Sequence, residues 1–203
     1  MDYPVAETGR AVVSCLIKSL VIPRPIAWIT SMSAQGCINA ASFSFFNMMG
    51  DNPPVVAVGF SHRLLRNTAQ NIMETGAFVI NLVTEETAQV MNWTSLPVPA
   101  DVNEMEMFGL QARASAHVAP PQIAQAPVSL ECSLLETVNT GQEQILMVGR
   151  VIALRIEDAL IQDAAKDYIK EDAFRPIARM GGSGTYSRTT DTFVMERPVL
   201  PQS

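Results

Sequence analysis

From Arg24 to Ser31 the chain alternates like a strand with two usable faces: Ile26, Trp28 and Thr30 share one side, Ala27 and Ile29 the other. Ser33-Ala34-Gln35-Gly36 predicts a turn in which Gly36 takes a positive φ, and Cys37–Ala41 returns as the second arm of a hairpin. Val55–Phe60, entered through Asn52-Pro53-Pro54, is a strongly apolar strand. Asn67 to Thr75 predicts a helix, with Asn67 or Thr68 near its N-cap and Gly76 ending it. Ala77–Val83 is strand again, and Thr84 introduces a short helix over Glu85–Met91. The run Ala11–Ile22 is too short for its period to separate a strand from a turn of buried helix.

Leu96–Pro127 is rich in Pro, Ala and polar residues and predicts a long excursion with a short helix around Glu104–Phe108. Val128–Val138 and Gln144–Ile156 are two long strands joined by an Asn139-Thr140-Gly141 turn. From Lys170 through Gly181-Gly182-Ser183-Gly184 and beyond, the tail is expected to be mostly irregular, above all over 187–203. Strands outnumber helices, hairpin turns join them, and no repeat or linker divides the chain. The expectation is therefore one mainly β domain over residues 1–203, an antiparallel barrel with a few peripheral helices.

Composition narrows the function. Of 203 residues 48% are hydrophobic and only 17% charged, against about 25% in an average soluble domain, so a homodimer that hides apolar surface is expected. The net charge of −6 and the scatter of the 14 Lys and Arg leave no basic stripe for a nucleic acid. Lys18 and Pro23 interrupt the apolar run after residue 11, which falls short of the about 20 residues that span a bilayer. Cys15, Cys37 and Cys132 are widely separated and odd in number, which suits reduced thiols in a cytoplasm better than disulfides or zinc.

Neither His62 nor His117 has a partner at metal-ligand spacing; no Gly-x-Ser-x-Gly elbow or Walker loop is present, and the glycines at 182 and 184 fall short of a dinucleotide fingerprint. The chemistry gathers instead in the N-terminal half. Arg66 and Thr68 open a predicted helix, where free N–H groups favour an anion; the same residues also fit an ordinary N-cap and a solvated charge. Ala40, Ala41 and Ser42 are small enough for a flat ligand to approach the backbone, with Phe43, Phe45 and Phe46 packing on alternating sides, although a plain hairpin arm has this pattern too. Arg24, held between Pro23 and Pro25, is placed either to serve a site or to protect a sheet edge.

Taken in order, these clusters resemble the flavin reductase-like family of FMN-binding split barrels, which includes flavoredoxins and the flavin reductase components of two-component monooxygenases. The likeness rests on Pro23-Arg24-Pro25-Ile26-Ala27 with Thr30 and Ser31, on Gly36 and Asn39, and on Ser44, Phe46 and Asn47. It continues through Pro53-Pro54, Arg66-Asn67-Thr68 with Asn71-Ile72, and Glu74–Leu82, with a weaker echo at Arg179-Met180-Gly181-Gly182 and Tyr186. Two departures stand out: Ser42 replaces a usual Pro, and Arg66-Asn67 replaces a usual Lys-Asp pair.

The resemblance implies a Greek-key split β-barrel, FMN as cofactor, and NADH or NADPH as co-substrate. It implies an oxidoreductase passing electrons from NAD(P)H through flavin to an acceptor, such as a partner monooxygenase. The alternative is a flavoredoxin-like electron carrier without NAD(P)H oxidation of its own. The chemistry belongs to the flavin, so no side chain is expected as acid or base. By the same likeness Asn39, Ala40, Ala41 and Ser42 read the ring edge, and Ser44, Arg66 and Thr68, beside Asn67, hold the phosphate. Thr30 and Ser31 line the ribityl chain, and Arg24 approaches the pocket or a dimer partner.

Overall fold

A computed structural model of the chain describes residues 1–61, 67–99, 101–163, 168–170, 172–182 and 184–200. Helix α1 (Arg10–Leu20) precedes strands β1 (Arg24–Pro25), β2 (Ala27–Met32), β3 (Ile38–Phe43), β4 (Phe46–Asp51) and β5 (Pro54–Ser61). Helix α2 (Thr68–Thr75), β6 (Ala77–Leu82), α3 (Ala88–Trp93) and α4 (Glu104–Met107) follow, then the short strands β7 (Ala112–Arg113) and β8 (Gln122–Ile123). The long strands β9 (Val128–Gly141) and β10 (Gln144–Ile156) lead to β11 (Ile161–Asp163), β12 (Tyr168–Ile169), β13 (Ile177–Arg179) and β14 (Tyr186–Arg188).

Seven strands form one antiparallel sheet in the order β3-β2-β6-β9-β10-β5-β4. Its two edge strands, β3 and β4, are consecutive in the chain and separated only by Ser44 and Phe45. The sheet must therefore curl until its edges approach: Gly59 N–H in β5 donates to Phe45 O at 2.7 Å, and the Phe43 and Phe60 rings lie 4.6 Å apart across the gap. β13 pairs with β1 and β14 with β13, making a second small sheet.

The two faces expected of the first strand are both buried. Ala27 and Ile29 point into the curled sheet with Phe43, Val58, Phe60, Phe78, Ile80 and Met147, and α2 closes that core with Ala69 and Ile72. Ile26 and Trp28 point the other way, into a second core with Met91 of α3, Met105 of α4 and Ile123 of β8. Trp28 is fully buried, and its indole N–H donates to Thr94 Oγ1 at 3.0 Å, which satisfies its one polar atom. Each side chain of this size buried in full contributes about 1.5–3 kcal/mol, which is why β2 anchors both layers. Gly149 is required where β10 passes the core: a Cβ there would lie 2.5 Å from Phe78 Cζ.

Several expectations are met. Gly36 turns with φ +86°, and β2 pairs with β3 in the predicted hairpin. α2 ends at Gly76 in the left-handed conformation, and β9 pairs with β10. Others need correction. Residues 10–20 form a helix with no buried residue, neither a strand nor a buried turn. The β9–β10 turn falls at Gln142-Glu143, because pairing extends through Gly141. The helix expected at 85–91 begins at Ala88, after the Thr87 hydroxyl has accepted Thr84 N–H at 3.1 Å in a turn. Within the tail, expected to be mostly irregular, β13 pairs with β1 and β14 with β13. The second arm, expected over Cys37–Ala41, runs from Ile38 to Phe43, and Phe46 starts β4 against β5. His62 lies outside the described residues; His117 is exposed.

Candidate functional site

The free edge of β3 organises the site. Ala40 N–H donates outward, to Glu104 Oε2 at 3.3 Å, rather than to β2. In an antiparallel strand the N–H and C=O of one residue point the same way and alternate with the next. Ser42 therefore also turns its N–H and C=O off the sheet, and Ala41 turns its own toward β2. Beside Ser42 lies a cavity of about 620 Å³. Ser42, Phe43 and Ser44 form one wall, Gln89, Met91 and Asn92 of α3 another, and Arg179 and Tyr186 of the β13–β14 hairpin a third. Among the described residues, no carboxylate lines it.

Arg24 sits behind this cavity and is 9% exposed. Its guanidinium donates to the carbonyls of Lys18 at 2.5 Å, Val21 at 3.0 Å and Met180 at 3.1 Å, and lies 3.5 Å from Ser44 Oγ. It thus ties the end of α1 to the β13 region and touches the pocket only through Ser44. Burial, then the positive charge of Arg179, lowers its pKa.

The opposite end of β3 carries a buried polar network. Asn39 donates to Glu104 Oε1 at 2.6 Å and accepts from Thr68 Oγ1 at 2.5 Å. Asn71 donates to Ser31 Oγ at 3.1 Å, which in turn lies 3.5 Å from Asn39 Oδ1. Asn39, Thr68, Ser31, Asn71 and Glu104 are all buried. Burial raises the pKa of Glu104, although donors from Asn39 and Ala40 oppose the shift.

A third group anchors the excursion after α4. Thr30 Oγ1 donates to Pro121 O at 2.5 Å. Asn81 Oδ1 accepts from Ile123 N–H and Ser129 Oγ, both at 2.9 Å. Glu131 accepts from the N–H groups of Ala116 at 2.9 Å and His117 at 2.7 Å and from the Gln122 amide at 2.8 Å.

The positions singled out in the sequence thus separate. Ser42 and Ser44, with Arg24 behind them, belong to the cavity; Ser31, Asn39, Ala40 and Thr68 belong to the buried network; Thr30 holds the excursion. Ala41 packs against the inner core. Asn67 occupies the N-cap position of α2 without a side-chain cap bond, and Arg66 lies outside the described residues. Ser44 lies just past the end of β3 and Thr68 packs on Asn39 near its start, so the residues expected at the phosphate fall at opposite ends of the strand. Gln89, Asn92 and Tyr186 were absent from the expected set. Only the weak motif echo at Arg179–Gly182 and Tyr186 pointed to the third wall; α3 carries no motif.

Residues 19–170 match the family described as flavin reductase like domain, and the chain belongs to that family. An uncharacterized protein of Aquifex aeolicus (strain VF5) is 36% identical over 185 residues, covering 90% of this chain and 93% of its own. The crystal structure of Pseudomonas fluorescens 2-nitrobenzoate 2-nitroreductase NbaA superposes with a TM-score of 0.90 at 31% identity, over 100% of this chain and 99% of that one. Nitrilotriacetate monooxygenase component B from Bacillus cereus superposes with a TM-score of 0.89 at 25% identity, over 96% and 98%. The curled antiparallel sheet is accordingly the split barrel of the flavin reductases. Among the described residues, no helix is long and apolar enough to cross a membrane.

Proposed function

We propose that the chain is an FMN-binding oxidoreductase that takes electrons from NADH or NADPH and passes them to an acceptor. The observation that carries this reading is the cavity beside the unpaired edge of β3, where Ser42 offers backbone N–H and C=O within a wall of small residues and aromatic rings. Its volume of about 620 Å³ falls within the range of about 300–1,000 Å³ usual for small-molecule sites. Neutral hydroxyls and amides beside the strand edge and, among the described residues, no lining carboxylate suit a planar anionic ligand such as FMN. When bound, FMN supplies the hydride and electron chemistry that protein side chains lack.

The chain's own residues bind and orient. Ser42 N–H is a fixed donor for the electron-rich edge of the ring, where a preorganised dipole stabilises added negative charge. In this reading the phosphate is taken by Arg66, while Thr68, which donates to Asn39, holds the start of α2 against β3, and Ser44 serves the cavity end of the site. Met91 excludes water from the α3 side. The resemblance to NbaA supports an organic acceptor, and that to the monooxygenase component B supports a partner oxygenase.

A homodimer also belongs to this reading. Leu20, Met48, Met49 and Leu154 are each more than 60% exposed in the single chain, and α1 buries nothing. Light scattering after size exclusion should give twice 22.1 kDa. The function itself is tested by the visible spectrum after FMN addition and desalting, followed by NADH. A retained flavin band that bleaches supports the reductase. A band that NADH and NADPH leave untouched shifts the reading to an electron carrier fed by another protein. Absence of FMN binding in an equilibrium titration refutes both.

A further inference from the structure

The cavity has a cationic end that flavin binding at the start of α2 leaves unused. Arg179 and Arg24 are directly opposite each other in the β1–β13 register. Like charges facing across a strand pair destabilise the sheet unless an anion offsets them. Arg24 is engaged with three carbonyls. Arg179 is not: its guanidinium stacks 4.8 Å from the Tyr186 ring centre and donates to Gly182 O at 3.3 Å. It has no carboxylate partner among the described residues. In a chain with 20 acidic and 14 basic residues, a pocket whose single charged wall residue among those described is a partly free arginine is selective for anions.

We propose that Arg179, held against Tyr186, anchors the carboxylate of a small aromatic acid in this cavity. A guanidinium stacked on a ring presents a planar fork of donors, which matches two coplanar oxygens. Ser42 and Ser44 add neutral donors beside it, and Tyr186 and Ile26 supply apolar faces for the attached ring. Tetrahedral phosphate is the less favoured occupant, because a single planar fork offers it only one edge. Given the flavin reading above, on which this role rests, the aromatic acid is the class of electron acceptor the site takes.

Calorimetric titration of the full chain, with and without FMN, tests the assignment using benzoate, benzamide and inorganic phosphate as probes. Benzoate should bind and benzamide should not. Arg179→Met should weaken benzoate by roughly 10- to 100-fold, the worth of a charge-assisted hydrogen-bond pair, while FMN affinity stays within about threefold. Arg179→Lys keeps the charge and the fold but not the fork, and should give an intermediate loss. Tyr186→Phe, which keeps the ring, should change little. Failure of wild type to prefer benzoate over benzamide overturns the proposal. So does a loss of FMN or phosphate affinity in Arg179→Met that exceeds the loss for benzoate, which would make Arg179 a phosphate ligand. If wild type binds benzoate through Arg179 but never binds FMN, the anion site stands and the flavin reading alone falls.

Discussion

Replacing Asn81 by alanine removes the bracket between the barrel and the excursion after α4. Asn81 is fully buried, donates to Trp28 O at 3.0 Å, and accepts from Ile123 N–H and Ser129 Oγ at 2.9 Å each. Alanine leaves the N–H of fully buried Ile123 without a partner, and the Ser129 hydroxyl must find another acceptor in the same dry space. An orphaned buried polar group costs about 1–3 kcal/mol, so the two together cost roughly 2–6 kcal/mol. For a chain of this length that corresponds to a fall of roughly 4–24 °C in Tm. Thermal unfolding by circular dichroism reads the shift. Limited trypsinolysis gives a second signature: cleavage after Arg113, at the foot of the released segment, should speed up under native conditions. A loss below about 1 kcal/mol, with unchanged cleavage at Arg113, would show that the bracket does not hold the excursion.

Gly149→Ala should cost roughly 1–3 kcal/mol, because its Cβ would lie 2.5 Å from Phe78 Cζ; Phe78→Leu in the same chain should recover part of that, as read from urea midpoints. Glu104 has a raised pKa in the folded state because it is buried. Its contribution is therefore fully present below the ordinary carboxylate pKa and is lost as pH rises through the raised value. Glu104→Gln should flatten that segment of the stability–pH curve, and an unchanged slope would contradict the assignment. Burial pushes the Cys132 thiol up to about 12, while Cys15 is exposed. An aromatic disulfide reagent should modify Cys15 in the native protein and reach Cys132 only on unfolding, which mass spectrometry of the labelled peptides resolves.

The barrel was legible in the sequence wherever a strand buries one or both faces and a turn residue marks its end. Arg24–Ser31, Gly36, Val55–Phe60, Gly76 and the two long strands all fall in this class. Helix α1 was not legible, because a helix with no buried residue in the single chain has no core to set its period. β13 and β14 were missed for a different reason. Each is only three residues long, too short for a period to show; β13 is held by its long-range pairing to β1, and β14 by pairing to β13. Within the site, hydroxyls and amides at 30–68 stood out as polar positions amid apolar runs. The sequence could not say that Thr30, Ser31 and Thr68 direct theirs inward to Pro121, Asn71 and Asn39. The α3 wall of the cavity was silent, since Gln89 and Asn92 look like any exposed helix face.

The anchoring of the excursion has a consequence for how this protein can diverge. Thr30, Asn81 and Glu131 grip residues 116–123 almost wholly through main-chain groups: Pro121 O and the N–H groups of Ala116, His117 and Ile123, with the Gln122 amide the one side chain engaged. A grip on the main chain is indifferent to most of the side chains it holds. His117, Val118 and Ala119 can therefore be rewritten freely while the segment keeps its seat, and inherited variation can accumulate there without unsettling the barrel beneath.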